Sequence, residues 1–228
     1  MNFLSHYYFE RNNPNHYVVM GVVLPDLIKN ADKFWNIHPQ KTPALYQTQE
    51  SLRSILRGWQ KHLEVDNYFH TSAFFKTETA NLKKLILPCV TAGPVKPFFL
   101  AHIGLELMLD HLLLHSGMIN IETFYQQLHQ ANNNSLSDFL SKADIPDQHI
   151  FDTFLYDFLQ SRYLFSYQKL HNISYALNRI CMRVWNNPFT DAQLDLLTQK
   201  LDEYCPELES RFMTIFNELE ENPAIRAI

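Results

Sequence analysis

Glycine is scarce in this sequence: only five glycines occur in 228 residues. Leu, Phe and Tyr recur at the spacing of a helix face and not at the alternating spacing of a strand. This pattern argues against a β-sheet protein and favours helices. With 46% hydrophobic residues, the chain is long and apolar enough for a full core, and we expect one domain over residues 1–228.

Cysteine is equally scarce, with Cys89, Cys181 and Cys205 scattered along the chain and no C-x-x-C pair. An odd number of scattered cysteines excludes a disulfide framework and indicates a reducing compartment. The first residues, MNFLSHYYFERN, lack the cationic and apolar regions of a secretory leader, and no uncharged apolar run reaches membrane length. We therefore expect a soluble, cytoplasmic protein without a membrane span.

An excess of positive charge is also absent, since the formal net charge is -5. This balance argues against wholesale nucleic-acid binding but leaves room for a local basic patch that meets an acidic partner.

The apolar spacing predicts an all-α bundle of about 8–10 helices. Pro25 should break or kink the first long helix, two prolines make residues 35–46 a loop, and PCVTAGPVKP at 88–97 separates two helical blocks. Gly117 is a good helix terminator, and Thr190 with Gln193 forms a capping box. Helices are predicted at residues 16–31, 47–70, 98–116, 120–131, 136–143, 147–169, 172–186, 190–204 and 206–221.

Two rows of metal-binding side chains lie inside these helices. HLEVDNYFH holds His62, Asp66 and His70, and HIGLELMLDH holds His102, Glu106 and Asp110, followed by His111. Residues four apart on a helix project from one face, because each residue turns the chain by about 100°. Clustered ionisable groups on apolar helices usually mark a site.

Two further ligands could come from the N-terminal segments, His6 in MNFLSH and Asp26 beside Pro25. Asp110 lies in the apolar run LMLDHLLL, where an unpaired carboxylate would cost several kcal/mol and so needs a metal or a cation. His111 has a second interpretation, a hydrogen-bonded core histidine. Imidazole and carboxylate suit Mn, Fe, Zn and Ni alike, and Mg stays open.

Basic residues form a third row, Arg53, Arg57 and Lys61, directly before His62. The row is either a solvated helix face or a strip that receives phosphate or an acidic partner. Arg179 and Arg183, also four apart, could serve the same purpose.

Four motifs together resemble the acyl carrier protein phosphodiesterase family. They are MNFLSH at the start, G-x-x-L-x-D at Gly21–Asp26, G-x-x-x-H-x-x-x-D at Gly58–Asp66 and E-x-x-x-D-H at Glu106–His111. The match extends through the region of Arg179 and Arg183 to ELESRF at 207–212, and so covers nearly the whole chain.

The resemblance implies an all-helical fold distantly related to the HD phosphohydrolases. It also implies a divalent-metal-dependent phosphodiesterase of lipid metabolism that removes 4′-phosphopantetheine from holo-acyl carrier protein, leaving the apo form. Glu106 and His70 would orient or deprotonate the attacking water, and His102 could add a ligand on spacing alone. The positions implied as metal ligands are His6, Asp26, His62, Asp66, Asp110 and His111.

Three departures from the family pattern leave other functions open. Leu63 replaces an arginine, Phe69 and His70 replace a Thr-Asp pair, and Tyr8 replaces a histidine. The first alternative is a phosphohydrolase acting on a nucleotide or lipid-headgroup diester. The second is a non-catalytic helical binding module with a decayed site. A di-iron bundle would need Glu-x-x-His pairs, which neither row contains.

Overall fold

A computed structural model of the chain describes residues 1–91 and 93–228. Within these residues the secondary structure is helical and includes no strand, so the all-α prediction is confirmed. The short first and last helices raise the number of helices above the expected eight to ten. The α-helices are α1 Phe3–Tyr8, α2 His16–Ala31, α3 Glu50–Thr71, α4 Ala73–Val90, α5 Pro97–His115, α6 Ile121–Ala131, α7 Asn134–Lys142, α8 Gln148–Ser161, α9 His171–Cys181, α10 Asp191–Glu209, α11 Met213–Glu221 and α12 Pro223–Arg226.

The chain divides into two compact units, each made of separate stretches of sequence. The first unit comprises Met1–Asn67, Ile119–Tyr163 and Glu220–Ile228. The second comprises Tyr68–Met118 and Leu164–Leu219. The single domain expected over 1–228, and its likeness to HD phosphohydrolases, stay predictions.

The first unit is built around α2, which packs against α1, α6 and α8. Its core includes several packed aromatic rings. The ring centroids of Tyr7 and Phe124 are 5.0 Å apart, and those of Phe3 and Phe158 are 5.2 Å apart. Such ring pairs add to the free energy gained from burying the apolar surface.

Helices α2 and α3 touch through their backbones at Gly21 and Gly58. A Cβ at Gly21 would lie 2.2 Å from the carbonyl oxygen of Ile55, and a Cβ at Gly58 would lie 2.2 Å from that of Val18. Both distances are far inside van der Waals contact. Only glycine therefore allows this crossing, which aligns the two helices at their closest point.

The second unit places the apolar helix α5 against α4 and α9, and packs α10 against α4 and α9. A buried carboxylate, Glu78, joins α4 to the end of α10. Arg211 donates two hydrogen bonds to it, at 2.8 and 2.9 Å, and the hydroxyl of Tyr204 donates a third. Because the carboxylate accepts all three hydrogen bonds, the buried charge is compensated.

Proline does not break the helices where the sequence predicted a break. Helix α2 continues through Pro25 to Ala31. Helix α10 continues through Pro206 to Glu209, so the break expected at residue 205 lies at residues 210–212 instead. A proline in a helix removes one backbone hydrogen bond. The buried residues on either side, such as Leu24 and Leu27, hold α2 in place by packing, which overrides the local preference.

The helix predicted over 147–169 ends early. Arg162 adopts the left-handed conformation, with φ 47°, and terminates α8 after Ser161, and a 3₁₀ segment follows at Tyr163–Gln168. Helix α9 ends at Cys181 instead of residue 186. Residues 35–46, predicted as a loop, contain two short 3₁₀ turns, Pro39–Lys41 and Pro43–Tyr46.

Two predicted helix boundaries are confirmed. Gly117, with φ 68°, follows α5, and the amides of Gly117 and Met118 donate to the carbonyls of Leu114 and Leu113, as in a Schellman motif. Thr190 and Gln193 form the expected capping box at the start of α10. The predicted break at 88–97 includes Ala92, which lies outside the described residues.

One described helix, α5, has the length and composition that could cross a membrane. Its most apolar stretch is 72% buried in the protein, as in the core helix of a globular fold, and a single helix of this kind is weak evidence for a span.

We expect Gly58→Ala to lower the free energy of unfolding by about 2–4 kcal/mol, because the added methyl group would push α2 and α3 apart. Urea unfolding measures this change. Gly104→Ala is the matched control. Its Cβ would lie 3.4 Å from a methyl group of Leu82, and alanine at a helix interior should be neutral or stabilising by up to ~1 kcal/mol. Equal stabilities of the two variants would contradict the close crossing.

A second prediction concerns alkaline pH. Burial raises the pKa of Tyr7 to about 12. The unfolded chain ionises this tyrosine near ~10, so between roughly pH 10 and 12 only the unfolded state loses the proton, and stability falls as pH rises, by at most about 1.4 kcal/mol per pH unit. Tyr7→Phe should flatten this decline, whereas Tyr156→Phe, at an exposed position, should not. Equal slopes in urea unfolding across this range would contradict the assignment.

Candidate metal centres

The first group of potential ligands belongs to the first unit and consists of His6, His62 and Asp66. His6 comes from α1, and the other two lie one turn apart on α3. One ligand atom from each lies within 4.8 Å of the others. The two imidazole rings stack, with centroids 3.8 Å apart, and Nε2 of His6 lies 3.4 Å from Oδ1 of Asp66.

The ring of His62 is held in an orientation that suits metal binding. Its Nδ1 lies 2.8 Å from the carbonyl oxygen of Val22, and because a carbonyl only accepts, Nδ1 carries the hydrogen. The lone pair is then on Nε2. A backbone carbonyl bound to the second nitrogen is the usual way in which proteins orient a ligating histidine. The glycine crossing produces this contact, since Val22 follows Gly21 and His62 lies one turn beyond Gly58.

The charges in this group also suit a cation. Burial, followed by the proximity of His6, lowers the pKa of His62 well below its usual value, so the ring is neutral at pH 7. Burial alone would raise the pKa of Asp66, but His6 and the α-ammonium of Met1 hold it well below its usual range. That ammonium lies 2.6 Å from Oδ1. Asp66 is therefore a carboxylate that already faces a positive charge.

The second group belongs to the second unit and consists of His70, His102 and Glu106. His70 lies in the last turn of α3, and the other two lie one turn apart on α5. The Nε2 atoms of the two histidines are 3.1 Å apart, and they lie 3.2 and 3.1 Å from the same oxygen of Glu106. Three potential ligand atoms thus form a nearly equilateral triangle.

The second group is more open to solvent than the two histidines of the first. The side chains of His70 and His102 are 31% and 29% exposed, whereas that of Glu106 is 10% exposed. Burial by itself would raise the pKa of Glu106. The pKa of Glu106 is nevertheless below its usual range, because nearby positive charge and hydrogen bonding with His102 and His70 favour the ionised form.

Both groups fit a divalent ion by their chemistry. Each offers two imidazoles and one carboxylate, a donor set common for Mn, Fe, Zn and Ni. Each includes a carboxylate that is ionised at neutral pH and one ligand that is largely buried, which limits the motion of the donor atoms. The residues present could therefore hold the divalent metal expected from the sequence.

Three predicted ligands lie outside these groups. Asp26 is half-buried on α2, and Asp110 is completely buried on α5. Nδ1 of His111 donates to the carbonyl oxygen of Tyr167 at 2.7 Å, and burial lowers the pKa of His111, as for a neutral histidine in a core. The role of these three side chains as ligands stays a prediction.

The predicted basic strip is partly neutralised. Arg53 pairs with Glu50, and Lys61 pairs with Glu10. Arg57, the third member, is exposed on α3. In the second unit, Arg179 near the end of α9 and Arg183 just beyond it are both exposed.

The rows seen in the sequence are regrouped by the fold. The spacing placed His70 in one row with His62 and Asp66. In the structure, Nε2 of His70 lies within hydrogen-bond distance of His102 and Glu106. The partner of His62, the carbonyl of Val22, could not be read from the spacing of polar residues. A usable signal was present, since a glycine-poor chain keeps Gly21 and Gly58 at the start of two of the recognised motifs.

Taken together, the fold and the donor groups define an all-helical protein with two candidate metal centres in its described residues. The family described as acyl carrier protein phosphodiesterase matches residues 1–219. The chain therefore belongs to this family, and the resemblance seen in the motifs is confirmed. No curated protein and no solved structure matches the chain significantly.

Proposed function

We propose that this protein is a metal-dependent phosphodiesterase that hydrolyses the diester linking 4′-phosphopantetheine to acyl carrier protein. The observation that carries the proposal is the group of His6, His62 and Asp66, which lies on three motif positions of the family and presents a neutral Nε2 beside an ionised carboxylate. A divalent ion bound there would act as a Lewis acid toward the phosphoryl oxygens and lower the pKa of a bound water.

The residues of the chain contribute orientation and charge to this reaction. The carbonyl of Val22 fixes the tautomer of His62. Asp66, whose side chain is 35% exposed, supplies the negative charge of the group. The expectation that Glu106 and His70 orient or deprotonate the attacking water, as general bases do, stays a prediction. Asp26, Asp110 and His111 complete the proposed set of polar residues.

The substrate is proposed to be the acidic carrier protein, held by exposed cations. Arg57, Arg179 and Arg183 are the proposed contacts, because all three are exposed. Such surface charges mainly raise the association rate, and their effect weakens as salt is added.

We also propose a cytoplasmic location. The three cysteines are free, and Cys89 and Cys181 are buried. Free thiols persist in a reducing compartment.

A second substrate class is favoured by one observation, Leu63. This half-buried leucine follows His62 at the position where the family has an arginine, so one cation that would contact phosphate is missing. A smaller nucleotide or lipid-headgroup diester is the alternative substrate. Assaying such diesters beside holo-carrier protein under identical metal conditions distinguishes the two.

Asp66→Asn should lower kcat for release of phosphopantetheine by about a thousandfold, roughly 4 kcal/mol in activation free energy, because the amide removes the negative charge that would hold the ion. Mass spectrometry of the carrier protein, holo against apo, measures turnover in the presence of Mn(II). His129→Ala, a change at an exposed histidine, should keep full turnover. Wild-type protein without turnover on any diester would favour the non-catalytic binding module instead.

Arg57→Glu, and separately the pair Arg179→Glu and Arg183→Glu, should raise KM for the carrier protein by about tenfold with kcat little changed. The matched control is Lys84→Glu, which makes the same change of charge at an exposed position of α4. The difference from wild type should shrink in high salt. If Lys84→Glu raised KM as much as the other variants, the effect would reflect net charge and not a docking surface.

A further inference from the structure

We propose that His70, His102 and Glu106 form a metal site with its own donor set, of the two-histidine–one-carboxylate type, which takes a borderline transition-metal ion such as Fe(II), Co(II), Ni(II) or Zn(II). The inference goes beyond the proposed function, because none of its ligands belongs to the group of His6, His62 and Asp66. It assigns His70 and Glu106 as ligands in place of the predicted water-orienting role.

The distances carry the inference. The three donor atoms lie 3.1, 3.1 and 3.2 Å apart. Atoms that bind one ion at about 2.0–2.2 Å are separated by roughly 3.0–3.4 Å in tetrahedral or octahedral geometry. The triangle therefore has the size of one face of a coordination sphere, before any ligand moves.

Hydrogen bonds among these three atoms alone explain their arrangement poorly. A neutral imidazole has one ring hydrogen, and the oxygen of Glu106 can accept from both Nε2 atoms. If both carried the hydrogen, however, two N–H groups would face each other across 3.1 Å. If one Nε2 is bare, it can accept from the N–H of the other ring, but its own lone pair then faces the carboxylate oxygen at 3.1 or 3.2 Å. An ion in contact with all three atoms satisfies three lone pairs at once.

The surroundings hold the two rings in this orientation. The ring of Phe75 meets both imidazoles edge to face, at 5.0 Å from His70 and 4.9 Å from His102. Phe69 contacts His70 from the side, and Phe98 contacts His102. Rings packed in this way keep their rotamers, so binding needs little reorganisation.

The donor set selects the class of ion. Two imidazoles and one carboxylate on a single face leave positions open, the pattern of mononuclear sites for Fe(II) and related ions. Mg(II) and Ca(II) prefer oxygen ligands throughout, and the described group offers one carboxylate only. The partial exposure of both histidines leaves room for water or another small ligand at the open positions.

Co(II) absorption tests the site directly, because visible ligand-field bands report nitrogen and oxygen ligands around the ion. Full-length protein, freed of metal with a chelator, is titrated with Co(II). The parent is His62→Ala, so that the first group does not contribute. His102→Ala and the near-isosteric Glu106→Gln are each added to this parent, and His129→Ala is the control. Circular dichroism checks that every variant is folded.

We expect the parent and the control to bind about one equivalent of Co(II) with the same bands. His102→Ala and Glu106→Gln should weaken binding by more than about a hundredfold, since losing a direct ligand exceeds the ~10–100-fold cost of losing an outer partner. Excess Zn(II) should displace Co(II), and millimolar Mg(II) should not.

Equal bands and affinity in His102→Ala and the control would overturn the site, as would a folded parent that binds no Co(II). Displacement by Mg(II) would overturn the assigned class of ion. Because the readout is Co(II) absorption and not turnover, its failure is separate from the failure of the proposed hydrolysis.

Discussion

The contact between Gly21 and Gly58 is the constraint on which the rest of the first unit depends. Two helix backbones approach until neither position has space for a methyl group. At this distance the residues one turn along reach the opposite backbone, and His62 hydrogen-bonds to Val22. A purely packing feature therefore decides which nitrogen of a histidine carries the lone pair. The motif glycines are structural residues, yet the close contact that they allow fixes the tautomer of His62.

The two donor groups contain the same residue types in different settings. In the first, His6 and His62 are buried, and Asp66 is partly exposed, with the α-ammonium of Met1 beside it. In the second, the carboxylate of Glu106 is buried and the histidines are partly exposed. The two groups therefore differ in which ligands are most buried, the histidines in the first and the carboxylate in the second.

Family membership and the departures from the family pattern fit together in this picture. His62, Asp66 and the MNFLSH segment that carries His6 keep the recognised motifs and meet in one group. The departures named from the sequence are Tyr8, Leu63, Phe69 and His70. His70 lies within hydrogen-bond distance of His102 and Glu106. Imidazole suits borderline ions better than an oxygen ligand does.

The sequence by itself determined the helical class, most helix boundaries and the candidate ligands, because these depend on spacing along one helix and on local turn chemistry. Gly117 and the pair Thr190–Gln193 are examples. Tertiary structure decided which rows meet and which side chains stay apart. It carried α2 through Pro25, because packing on both sides outweighs one lost hydrogen bond. It placed His70 with His102 and joined His111 to the carbonyl of Tyr167, since such contacts depend on helices distant in sequence.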